Sequence, residues 1–365
     1  MVTVSKRNAR TTSELVFIIL IVLVLTLGTL NLVKAKGWLI PKQPEILVTD
    51  GAIILDDLTL EQKISQMVIV HGGVHNLDAW QNMQLGGIHL FAMEREELFK
   101  EVITDFQDGM KIPFFVTADL EGCFSPFSNF YNSTPVKEIN NLGDAFQKGS
   151  DDGKFLNQMG FTINFAPVID LDDQIWKCRA FPGDEKQIAE LAEAYVLGLQ
   201  SQGIIATGKH FPGNTLVAKD PHKHILVTAV NQKDIYPYKY LAEKDEIMSF
   251  MVSHQIVTGE INSEGYPSVV SQKAISPLKN SFSGLIISDD TTMGGLRQFY
   301  DNVDNLYIDV FNSGNDLILN FDEDPNAIYR MVQVVKIAVE EGIISQQQID
   351  KSVRKILNAK GFVVI

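Results

Sequence analysis

Eight short apolar runs, each ending in a polar residue and each followed by a helix-like segment, constrain this chain more than any other feature. They fall at 67–70 ending at His71, 87–91, 114–118 ending at Asp119, 162–165 running on to Asp170, 204–207 ending at Lys209, 250–253 ending at His254, 285–288 ending at Asp289, and 317–319 ending at Asn320. Eight strand–helix units over about 300 residues fit an α/β fold, the (β/α)8 TIM-type barrel, whose chemistry sits at the C-terminal ends of its strands. Polar residues accumulate at those ends. Between the runs the helices are legible. Ile188, Leu191, Tyr195 and Leu199 recur at spacings of three and four, with Gly203 as a stop before the next strand. Ile328, Met331, Val334, Val335 and Ala338 stripe a helix over 324–341, a last helix over 347–360 closes the barrel, and Thr59 caps a first helix over 57–66. No self-similar repeat is visible beyond this alternation.

Ahead of the barrel stands a nineteen-residue stretch, 15–33, apolar apart from Thr26, Gly28, Thr29 and Asn31 and preceded by Lys6, Arg7 and Arg10. It is long enough to span a bilayer, and cations on its N-terminal side send everything after residue 36 out of the cytoplasm. Val33-Lys34-Ala35 also fits a signal-peptidase site, which leaves secretion open. A retained anchor is favoured because the run exceeds an ordinary signal core of about 7–15 residues. The expected division is 1–36 as cytoplasmic stub and anchor or signal, 37–50 as a linker containing Pro41 and Pro44, and 51–365 as the barrel. The formal net charge of −14 argues against nucleic acid as a partner, because phosphate binding needs a basic face. Losing residues 1–35 would make the exported part about −17, so polyanions are poor partners in either case. Export would let Cys123 and Cys178 pair, whereas reduced thiols are the alternative.

The densest chemistry lies at 208–224, GKHFPGNTLVAKDPHKH, directly after the fifth run. It holds Lys209 and His210 at the strand end and Asp220 two residues before His222. An Asp-x-His pair orients and charge-stabilises an imidazole that moves protons near neutral pH; the competing reading is a polar surface loop with incidental histidines. At the seventh strand end, Asp289 and Asp290 follow 285–288. Asp289 suits the carboxylate that a retaining glycosidase needs on one face of a sugar, and Asp290 suits a cap on the next helix. Asp119 at the third strand end is placed to accept hydrogen bonds from sugar hydroxyls, and Arg179 to donate them. Each alone is more often an ion-pair partner than a ligand contact.

Together the segments QKISQM (62–67), LGGI (85–88), ADLEG (118–122), NFAPVID (164–170), RAF (179–181), KHFPG (209–213), DPH (220–222), MVSH (251–254), SDD with Met293 (288–293) and SGND (313–316) resemble glycoside hydrolase family 3, of the bacterial β-N-acetylhexosaminidase type. The resemblance covers roughly 55–365, with KHFPG and SDD its specific elements. It implies a retaining exo-β-N-acetylglucosaminidase acting on cell-wall or chitin-like oligosaccharides, monomeric, with no metal or organic cofactor. Asp289 would be the nucleophile, His222 paired with Asp220 the general acid and then base. Asp119, Arg179, Lys209 and His210 would hold the sugar, and His254 would be a satisfied buried histidine. Two departures stand out. Asn214-Thr215-Leu216-Val217 replaces the family's His-Gly-Asp-Thr after KHFPG, and Cys123, Phe124 and Ser125 stand where the family has Gly and then a sugar-binding Arg. A disulfide between Cys123 and Cys178 is hypothesised, because they flank the third- and fourth-strand loops at one mouth. Three alternatives remain: a β-glucosidase of the same family, a glycan-binding barrel that has lost turnover, and a metal-dependent hydrolase using His71, His210, His222 and His254. Water and phosphate stay open as acceptors.

Overall fold

The computed structural model describes residues 7–35, 40–213 and 224–365, with side chains of the first stretch from 14 to 29. Eight parallel strands form the core: β1 (Val68–His71), β2 (Gly87–His89), β3 (Phe115–Ala118), β4 (Ile163–Asn164), β5 (Ile205–Phe211), β6 (Ser249–Val252), β7 (Leu285–Ser288) and β8 (Ile318–Leu319). Their order is β7-β6-β5-β4-β3-β2-β1-β8, with each neighbouring pair parallel. A single parallel bridge, Ile287 to Leu317, joins the two ends into a nearly closed barrel. Ile69, Val116, Ile163, Phe250 and Ile286 are fully buried in it, as strands covered on both faces require.

All eight expected runs supply a strand, with altered limits. β4 and β8 are two residues each. β5 is longer than expected and carries Lys209 and His210 within the strand, where its register against β6 shifts between Gly208 and Phe211. The first helix begins at Leu60 rather than 57, because Leu55–Asp57 forms a separate 3-10 turn. Thr59 caps it as expected, its hydroxyl accepting from Gln62 N while the Gln62 side chain accepts from Thr59 N. The helices read from spacing appear as Glu185–Gln200, Pro325–Glu340 and Gln346–Ala359. Two small parallel pairs lie outside the barrel: Ala52–Ile53 with Val363–Val364, and Val227–Val230 with Ile256–Gly259.

Residues 7–35 form one helix, Arg7–Ala35, in which the apolar residues from Leu15 to Leu25 and Leu27 are exposed. The transmembrane span expected over 15–33 is nevertheless not shown, since among the described residues no helix is long and apolar enough to cross a membrane. Part of that span, 30–33, has no described side chains.

Candidate active site

The C-terminal mouth of the barrel encloses a cavity of about 400 Å³, within the range of small-molecule sites. Asp119, Glu121, Arg179, Lys209, His210 and Asp289 all line it. The strands bring them together: Asp119 and Glu121 follow β3, Lys209 and His210 lie in β5, and Asp289 follows β7. Asn164 on β4 fixes the first pair. Its side-chain oxygen accepts from Leu120 N at 2.9 Å and its amide donates to Leu120 O at 3.0 Å, so the residue between the two carboxylates is held from both sides.

The charges form a compact cluster. Lys209 Nζ lies 2.5 Å from Asp119 Oδ1 and 2.5 Å from Glu121 Oε1. Arg179 donates through Nε to Glu121 Oε2 at 2.5 Å and through Nη2 to Oε1 at 2.9 Å, a bidentate fork. Burial alone would push the Glu121 carboxyl up, yet Arg179 and Lys209 hold it down at about 2. Lys209 is desolvated too, but Asp119 and Glu121 raise its pKa. Arg179 is likewise raised by Glu121 against its own desolvation. Glu121, Lys209 and Arg179 are therefore all charged at neutral pH. Beside it, His89 Nε2 sits 3.5 Å from Asp119 Oδ2. Burial drives this imidazole down to about 4 despite Asp119, so it is neutral, and the contact is not an ion pair at pH 7.

His210 is oriented from below. Asp170 Oδ2 lies 3.1 Å from His210 Nδ1 and accepts from His210 N at 3.2 Å, and Asp170 Oδ1 accepts from Tyr238 Oη at 3.4 Å. Asp289 N donates to Val252 O at 3.0 Å, and Asp289 Oδ1 accepts from Asp290 N at 2.8 Å, which fixes its carboxyl at the strand end. Asp290 does not cap the following helix, Gly294–Gln298, whose first turn has Met293 before it and no side-chain cap. It binds Thr292 through N and Oγ1 instead and accepts from Phe321 N at 3.3 Å, tying the β7 and β8 loops. Burial raises its pKa while the Thr292 hydrogen bonds oppose that.

Asp220 and His222 lie outside the described residues, so their placement is not part of this geometry. The chain on either side of them does reach the cavity, through His210 and His224. Gln255 connects those two sides: its amide donates to Gly213 O at 2.5 Å and its oxygen accepts from Thr228 Oγ1 at 2.8 Å. His254 is buried and donates through Nε2 to Asp290 O at 2.8 Å. For a metal site the described histidines point to separate partners, His71 to Glu323, His210 to Asp170 and His254 to Asp290. Among the described residues no group of three or more His, Cys, Asp or Glu is arranged to hold an ion.

Cys123 and Cys178 form a disulfide, with Cα atoms 6.1 Å apart. It joins the loops after β3 and β4, as hypothesised. Sequence reading missed Glu121, Phe124 and Trp176 as cavity groups, and His89 as the neighbour of Asp119. For Glu121 the signal was present, because residues two apart on extended chain face the same way and Asp119 was already singled out. For the aromatic residues no local pattern existed.

The glycosyl hydrolase family 3 N-terminal domain model matches residues 59–359. The beta-N-acetylglucosaminidase/beta-glucosidase of Cellulomonas fimi is 26% identical over 314 residues, 77% of this chain, which spans only 53% of that relative's length. The beta-hexosaminidase LpqI of Mycobacterium tuberculosis is 26% identical over 334 residues, 83% of each protein. The solved structure of M. tuberculosis LpqI superimposes with a TM-score of 0.75 at 22% identity, over 84% of this chain and 95% of the other. That likeness is one of fold.

Proposed function

This chain belongs to glycosyl hydrolase family 3 and is a glycoside hydrolase, and from that premise we propose that it is a retaining exo-β-N-acetylglucosaminidase of cell-wall or chitin-like oligosaccharides. The observation that carries the proposal is a strand-end carboxylate, Asp289, sharing one cavity with a salt-bridged cluster of two basic and two acidic side chains. Asp119, with its carboxyl 40% exposed, accepts from sugar hydroxyls, and Lys209, His210 and Arg179 donate to them. Glu121 keeps the two cations side by side.

In the proposed reaction Asp289 attacks the anomeric carbon as the bond to the leaving oxygen breaks. His222, charge-stabilised by Asp220, gives that oxygen its proton. Water then attacks the same carbon, His222 takes the proton, and Asp289 departs as a carboxylate. Retention follows from the two displacements. We further propose that a monomeric barrel, residues 51–365, works outside the cytoplasm, tethered through the Arg7–Ala35 helix. The disulfide supports an oxidising compartment, and the exposed apolar side chains of that helix suit a lipid environment.

Release of nitrophenol from aryl glycosides tests the reading. The N-acetylglucosaminide is expected to be the fastest substrate, and Asp289→Asn to lower kcat at least about a thousandfold. A faster glucoside would move the assignment to a β-glucosidase, a reading that the double name of the C. fimi relative favours. Saccharide binding without turnover by the unaltered protein would leave a glycan-binding barrel.

A further inference from the structure

The cavity has an apolar wall that the reaction above does not use. Phe124, in the loop after β3, and Trp176, in the loop after β4, line it with ring centroids 5.7 Å apart and planes nearly perpendicular. Phe124 is 43% exposed. A large ring left facing solvent, as Phe124 is, costs burial it would otherwise gain, and Phe124 and the half-buried Trp176 are fixed in place rather than left to collapse. The Cys123–Cys178 disulfide joins their loops. Asp173 gathers the N–H groups of Trp176, Cys178 and Arg179, each at 2.8 Å. Although partial burial opposes its charge, those bonds hold the Asp173 carboxyl below its ordinary value. Glu121 N donates to Phe124 O at 2.9 Å. Arg179 joins the wall to the polar cluster: its fork grips Glu121, while its guanidinium carbon lies 4.6 Å from the Trp176 ring centre and 5.5 Å from that of Phe124.

We propose that Phe124 and Trp176 are a second carbohydrate subsite, in which one ring stacks on the C–H face of a pyranose adjoining the one that the charged cluster holds and the other ring borders that pyranose's edge. The inference rests on the proposed function and deepens it: the preferred substrate has at least two linked sugars. A saccharide whose hydroxyls fill the cluster reaches the wall without leaving the cavity, because one side chain, Arg179, borders both. Anchors that are already rigid lose little entropy when a ring settles on them. Aromatic contacts of this size strengthen binding about two- to tenfold per ring.

The test is calorimetric binding of N-acetylglucosamine and of its β-1,4-linked trimer to the full-length, disulfide-intact chain carrying Asp289→Asn, so that neither ligand is turned over. The trimer is expected to bind about tenfold tighter than the monosaccharide. Adding Phe124→Ala, or separately Trp176→Ala, should bring that ratio toward one. Because Trp176 also packs on Arg179, the Phe124 variant, checked for an unchanged melting temperature, is the decisive one. A ratio near one in the parent, or a ratio kept in the Phe124 variant, overturns the subsite while the functional reading stands. Failure of both saccharides to bind overturns both.

Discussion

Lys209 and Arg179 are both cations, are 3% and 8% exposed, and lean on the same carboxylate, Glu121. Removing one partner of such a set leaves uncompensated buried charge, which costs more than the set itself contributes. A carboxyl held at about 2 instead of its ordinary 4.5 contributes about 3 kcal/mol. The sign is that of a depressed acid: the contribution is complete above pH 4.5 and disappears as pH falls toward 2. Glu121→Gln is therefore expected to unfold about 3 kcal/mol more easily at pH 7, with the gap to the parent narrowing between pH 4.5 and 2. Urea titrations across that range measure it, and a gap indifferent to pH would mean that the carboxylate charge is not what holds the cluster. Asp119, Lys209 and Arg179 were legible from the sequence because each follows or interrupts an apolar run or sits in a recognisable motif. Glu121 carried the same strand-end signal as Asp119, two residues before it, but only the fold reveals that both cations converge on it.

Helices Leu142–Met159 and Glu185–Gln200 are pressed together more closely than side chains with a Cβ allow. A Cβ added at Gly149 would lie 2.1 Å from Tyr195 O, and one at Gly198 would lie 2.1 Å from Phe146 O. Two effects compete on substitution. Alanine raises helix propensity by about 1 kcal/mol over glycine, whereas forcing apart packed backbones costs about 1–3 kcal/mol or more. Steric overlap with main-chain atoms, which cannot rotate away, decides the sign. Gly149→Ala and Gly198→Ala should each lower the denaturant midpoint; an unchanged or raised midpoint in either would show that the helices separate freely. The apolar stripe of Glu185–Gln200 was evident from its spacing, but glycine inside a helix reads locally as a weak point. Its purpose lies on the opposite helix, forty or more residues away.

The barrel is thinnest where β7 meets β8, and Asp316 holds that seam. Its Oδ2 accepts from Ile286 N at 2.9 Å and from Lys355 Nζ at 2.9 Å, and its Oδ1 accepts from Ser352 Oγ at 2.7 Å. Lys355 also donates to Gly284 O at 2.8 Å. One buried carboxylate thus links both closing strands to the final helix, Gln346–Ala359. Asp316→Ala would strand a backbone N–H and a partly buried ammonium, with an expected loss of about 3 kcal/mol. Because the seam belongs to the whole ring, the loss should appear as a single earlier thermal transition. Early melting of the last helix alone would argue that closure is local.

The alternation of apolar runs and striped helices determined the barrel, and with it which residues stand at strand ends, because burial on both faces of a strand and one face of a helix is written in local periodicity. The proposed anchor was named from its local apolar run, and the proposed nucleophile and sugar-holding residues from their strand-end places together with the family resemblance. Tertiary structure alone decided that Glu121 is the hub of the charged cluster, that Asp290 ties two loops instead of capping a helix, and that Phe124 and Trp176 share a disulfide-bound wall. Those relations depend on contacts between segments distant in the chain, whose energies arise only when the ring closes.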